Sequence, residues 1–159
     1  MYKLFLCFLF SLVLSGTAQA DEIKISNAWV AESSPGQDAA SIKLVITTKK
    51  NAKIVEVGSG MAEHVEIQSR RVEGATMITS KLSELDLPAK TSVTLGDGEN
   101  HLMLIGLRQP LVVGRKLPFA LTVKFANGKT TLLRILATIK PLNKTVALGS
   151  HNSDLADVQ

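Results

Sequence analysis

Cysteine is almost absent from this chain. Its one thiol, Cys7, lies inside an apolar N-terminal stretch, without the small-residue neighbourhood of a lipoprotein cleavage site. Without that stretch the chain has no disulfide, thiolate metal site or cysteine nucleophile. Aromatics are scarce too: one tryptophan and one tyrosine offer no platform for stacking bases. Charge of one sign is also lacking. The formal net charge is +4, and close cationic groups such as Lys49-Lys50 and Arg70-Arg71 are few and dispersed. These read as solvated loop ends, so nucleic acid is not an expected partner. Glycine-rich phosphate loops, the G-x-S-x-G elbow and the H-E-x-x-H zinc helix are all missing. His64, His101 and His151 are widely spaced and have no sequence-local Ser or Asp partner, so nothing asks for an enzyme.

The only long hydrophobic run comes first. "MYKLFLCFLFSLVLSGTAQA" has an early cation, Lys3, an apolar part from Leu4 to Leu14, and small residues ending in Ala18-Gln19-Ala20. That pattern predicts a secretory signal peptide, residues 1–20, cleaved before Asp21; its apolar part is too short to span a bilayer. Of 159 residues, 139 remain, with 17 Lys+Arg against 14 Asp+Glu. That is enough for one domain with a proper core. The expected product is exported and has no membrane span. The domain is expected over 21–140, with a fraying polar tail over 141–159.

Within the domain, apolar residues recur at period two: Ile23, Ile25 and Trp29; Ile42, Leu44 and Ile46; Val65 and Ile67. Short alternating runs between turn residues predict half-buried antiparallel strands. Trp29 is expected to anchor the core. In "LPFALTVKFANGKTTLLRILATI" the alternation leads to Asn127-Gly128, which predicts a tight two-residue hairpin turn. No segment carries a capped 3.6-residue stripe, and "SKLSELDLPA" suits a turn or bulged strand. The expected fold class is all-β, a single-domain sandwich or Greek-key barrel.

"ENHLMLIGL" places His101 and Met103 two apart, on one face of a strand. An imidazole and a thioether at that spacing can converge on one ion, and the thioether favours Cu(I). Equally, Met103 can be packing and His101 a partly buried strand-end residue.

Around this pair the sequence resembles the periplasmic copper chaperone family PCu(A)C. Members carry His, ten residues, Met, twenty-one residues, then His-x-Met. The likeness runs collinearly through "ISNAWV", "PGQ", "VEI", "LPA", "HLMLIGLRQPLVVG" and "LTVKFANGK". It implies a cupredoxin-like β-barrel in the periplasm that binds Cu(I), with copper-donating or copper-accepting envelope partners and a link to cytochrome oxidase assembly. The family spacing is intact here, but Gln68 stands at the first His position and Thr79 at the first Met position. Gly98-Glu99-Asn100 replaces the family's usual Gly-Gly-Tyr. Amide and hydroxyl oxygens are hard donors, so the resemblance implies weakened or partner-dependent Cu(I) binding.

If Gln68 and Thr79 lie opposite each other in a hairpin, Met77 faces Arg70, about 7 Å along the strand, and can serve as a third ligand. His64 lies about 13 Å away and cannot reach the ion. The expected metal residues are therefore His101, Met103 and Met77, lined by Gln68 and Thr79. His64, Glu66 and Gln68 are expected to form a wet strand face, and His151 to lie in the tail. The competing expectation keeps the fold as an envelope scaffold or interaction protein that no longer binds copper alone.

Overall fold

A computed structural model describes residues 22–142. The expected leader, residues 1–20, the tail from residue 143 and His151 all lie outside the described residues. Ten strands follow in order: β1 (Ile23–Ala31), β2 (Ala39–Thr48), β3 (Ala52–Gly58), β4 (Ala62–Glu73), β5 (Thr76–Leu82), β6 (Leu85–Leu87), β7 (Ser92–Leu95), β8 (Asn100–Leu107), β9 (Lys116–Phe125) and β10 (Thr130–Lys140). There is no helix among the described residues, as the missing 3.6-residue periodicity requires.

The strands form one sheet in the order β5-β4-β8-β2-β1-β10-β9-β3-β6, with β7 pairing β2. All ladders between strands are antiparallel except β1 with β10. Such a long sheet is stable only when it curls to bury one face on itself. Ile42, Leu44 and Ile46 of β2, Leu102 and Leu104 of β8, and Leu117, Leu121 and Val123 of β9 fill the resulting core. Each large apolar side chain buried this way contributes roughly 1.5–3 kcal/mol. The alternation in β2 and β9 is therefore the direct cause of their inward and outward faces.

Trp29 departs from the sequence expectation. The β1–β2 register shifts between Ser26 and Trp29, and Asn27 adopts a positive φ of 53°. One residue is absorbed in that bulge, so the inward parity passes from Ile23 and Ile25 to Val30. Val30 pairs with Ile42 and is fully buried, while Trp29 pairs with Lys43 on the outer face.

The β9–β10 connection differs as well. Phe125 N donates to the Lys129 carbonyl, Gly128 N donates to the Phe125 carbonyl, and Gly128 has φ 85°. This is a three-residue loop, Ala126 to Gly128, in which only glycine takes the left-handed conformation. Asn127 instead uses its side chain, Oδ1 accepting from Lys129 N at 3.0 Å.

Candidate metal centre

The site is built by two strands far apart in sequence. β4 and β8 pair so that Gln68 faces His101, Glu66 faces Met103 and His64 faces Ile105. Opposed residues share a face, with α-carbons about 5 Å apart. The opposite faces of these strands carry Ile67, Leu102 and Leu104 into the core. The outer face therefore collects His64, Glu66, Gln68, His101 and Met103. On the other side of β8, Ser41 of β2 pairs with Met103.

His101 is the most enclosed of these, only 6% exposed. The loop between β7 and β8 covers it. There the Gly98 carbonyl lies 2.8 Å from His101 Nε2. A carbonyl can only accept, so Nε2 holds the proton and Nδ1 carries the lone pair. A backbone carbonyl that fixes the tautomer in this way is the usual outer support of a metal-binding imidazole. Lys43, whose ammonium pairs with Asp97, and Glu99, which accepts from Ser69 Oγ at 3.0 Å and pairs with Arg71 at 3.5 Å, hold the loop at either end.

Beside Met103, both carboxylate oxygens of Glu66 are engaged. Gln68 Nε2 donates to Oε2 at 2.9 Å, Lys81 Nζ donates to Oε1 at 2.9 Å, and His64 Nε2 lies 3.3 Å from Oε1. The Gln68 hydrogen bond first, then that of Lys81, lowers the Glu66 pKa from 4.5 to about 2. Its carboxylate thus stays ionised. Across the row, Ser41 Oγ is buried without a hydrogen-bond partner.

The β4–β5 hairpin corrects the expected ligand geometry. Its two-residue connection, Gly74-Ala75, sets Glu73 against Thr76, so Gln68 faces Lys81 and Arg70 faces Thr79. The turn is centred one residue later than expected, which moves every pair by two. Met77 faces Val72 instead of Arg70, four residues along β5 from Lys81, or about 13 Å. It is 61% exposed, and the structure does not bring it to His101. Thr79 is likewise exposed and outside the row. His64 stays four residues along β4 from Gln68, opposite Ile105, and its imidazole meets the Glu66 carboxylate instead.

The donor chemistry fits a soft monovalent ion better than a hard divalent one. His101 offers an imidazole nitrogen and Met103 a thioether, both suited to Cu(I). Among the described residues no three His, Cys, Asp or Glu side chains gather as a metal cage. A cleft of about 600 Å³ near Lys53 and Asp86 and another of about 650 Å³ near Gly58 and Arg134 include neither His101 nor Met103.

Residues overlooked in the sequence are Lys81, Glu66 as more than wet surface, Ser41 and the Gly98 carbonyl. Parity alone could have put Glu66 with Gln68. The pairing of β4 with β8, which places Glu66 at Met103, has no local signature.

Residues 23–135 match the family described as "Putative lipoprotein LpqE-like". The "Putative lipoprotein Lxx21020" of Leifsonia xyli subsp. xyli is 31% identical over 114 residues, 71% of this chain and 68% of that protein. Among solved structures, Cu(I)-bound DR1885 from Deinococcus radiodurans is 27% identical with a TM-score of 0.55, covering 79% of this chain and 83% of that one. The copper-bound PCuAC domain from PmoF2 shares the fold with a TM-score of 0.58 at 18% identity, over 77% of this chain and 95% of that one. The likeness to the PCuAC domain from PmoF1 is of the same kind, with a TM-score of 0.60 at 21% identity, over 77% of this chain and 96% of that one. The fold is the cupredoxin-like β fold of these PCuAC domains, and the chain belongs to the LpqE-like family.

Proposed function

We propose that this protein is a Cu(I)-trafficking protein of the periplasm whose cargo site is reduced to His101 and Met103. The observation that carries the reading is the Nε2 to Gly98 carbonyl contact, which leaves the lone pair on Nδ1 of His101, a residue that shares a strand face with Met103. Cu(I) is cargo here: two soft donors bind it weakly enough to release it to a partner offering more or better ligands. Gln68 Oε1 and Ser41 Oγ line the site as weak oxygen donors. Met77, far along β5, drops out of the ligand set. The partners in this reading are copper-donating or copper-accepting envelope proteins, with cytochrome oxidase assembly as the destination suggested by the PCu(A)C resemblance. The role is binding and transfer, with no bond made or broken in a substrate.

A second reading is favoured by the burial of His101. If the imidazole is a satisfied strand-end residue under its loop, the protein is an envelope scaffold that has kept the fold without the cargo. An anaerobic Cu(I) competition titration separates the two. The cargo reading expects one equivalent bound by the wild type, lost in the double variant His101→Ala, Met103→Ala and unchanged in Met77→Ala. Equal, negligible binding by wild type and double variant selects the scaffold.

A further inference from the structure

Beside the two soft donors stands a carboxylate that a metal ion would ordinarily claim. Glu66 faces Met103 directly, and His64 Nε2 is already 3.3 Å from its Oε1. An imidazole and an ionised carboxylate form the start of a site for a divalent ion, and Cu(II) binds such nitrogen and oxygen donors most strongly among the common ones. What stands in the way is an internal cation. Lys81 Nζ lies 2.9 Å from Oε1, while Gln68 Nε2 takes Oε2.

We propose that Lys81 is a selectivity residue of the cargo site: by holding the Glu66 carboxylate it denies divalent ions an anionic oxygen beside Met103 and leaves His101 and Met103 as the strong donors, with only neutral oxygens beside them. The proposal rests on the Cu(I) reading above.

Its electrostatic logic is local. The Lys81–Glu66 pair is neutral as a unit, so the two soft donors sit in a patch without net attraction for a second positive charge. Removing the ammonium leaves one negative charge facing Met103, and the attraction for a doubly charged ion rises twice as much as for a singly charged one. Hardness acts in the same direction, because a carboxylate oxygen adds far more to a divalent ion than to Cu(I). Lys81 is well placed to be a latch. It lies on the edge strand β5, with its side chain 67% exposed, so it adds little to the core. That exposure also limits the strength of the latch to that of a surface ion pair, a factor of about five in affinity.

The test uses the chain from Asp21 onward, with Cu(II) as the probe in calorimetric titration, and Cu(I) titrated in parallel. Lys81→Ala is expected to bind Cu(II) about fivefold more tightly than the wild type, with a smaller change for Cu(I). Lys81→Arg, which keeps the cation, retains wild-type behaviour. Adding Glu66→Gln to Lys81→Ala cancels the gain, which separates this site from Cu(II) bound elsewhere on the chain. Unchanged Cu(II) affinity in a folded Lys81→Ala protein, or a gain that survives Glu66→Gln, overturns the proposal while wild-type Cu(I) binding stands. Failure of the wild type to bind Cu(I) at all overturns the cargo reading, and the selectivity role with it.

Discussion

Trp29 lies against Lys43 on the outside of the sheet, the ammonium 4.8 Å from the ring centroid, and Lys140 approaches the same ring at 5.0 Å. These are cation–π contacts at a partly exposed site, worth about 0.5–1 kcal/mol each. Replacing Trp29 with Phe keeps a ring between the two lysines, so urea unfolding is expected to show a loss of under about 1 kcal/mol. Ile42→Ala, one residue from Lys43 but pointing inward, is expected to cost about 2–5 kcal/mol. A larger loss at Trp29 than at Ile42 contradicts the outward placement.

Local patterns carried much of this fold. The unbroken alternation of β2 and β9 gave their buried faces, and the absence of helical periodicity gave the class. Errors arose where one residue changes a parity. Asn27 absorbs a residue in β1 and turns Trp29 outward, and the Gly74-Ala75 connection moves the β4–β5 register by two. Neither event alters composition or period. The site was half legible for a related reason. His101 and Met103 lie on one strand, where spacing fixes their common face. Glu66 and Lys81 reach them through two successive ladders, β8 with β4 and β4 with β5, whose registers are set by tertiary pairing and turn length.

Gly96 ties the β7–β8 loop to the site. Its φ is 94°, and a Cβ there would lie 2.6 Å from Lys43 Cγ and 3.0 Å from the Ile42 carbonyl oxygen. Backbone atoms cannot move aside as a side-chain end can. Gly96→Ala is expected to cost at least about 1–2 kcal/mol, the penalty for a left-handed alanine alone. Because the same loop carries the Gly98 carbonyl, Cu(I) affinity should fall with it. Denaturant unfolding beside a Cu(I) titration checks both, and a variant of wild-type stability contradicts the close approach.

The imidazole of His101 should show one tautomer. With Nε2 donating to Gly98, long-range nitrogen-15 NMR of the metal-free protein is expected to give a protonated Nε2 and an unprotonated Nδ1. Adding Cu(I) should then shift Nδ1 most. A tautomer protonated at Nδ1 would remove the free donor on which the cargo reading depends.

Acid should reveal the Glu66 cluster. The Glu66 pKa falls from 4.5 to about 2 through the Gln68 and Lys81 hydrogen bonds. A carboxylate whose pKa is lower in the folded state binds fewer protons there than when unfolded. Its contribution is therefore fully present above pH 4.5 and disappears as pH falls towards 2. Glu22, lowered by its hydrogen bond to Lys50, adds a loss in the same direction. Only the part due to Glu66 should vanish in Glu66→Gln. Urea midpoints measured at intervals from pH 5 to about pH 2 are thus expected to fall more steeply for the wild type than for the variant. Because Lys81 is largely exposed, added salt should narrow the difference by screening its pairing. Parallel acid profiles for the two proteins at low salt would show that the folded state does not hold this carboxylate ionised.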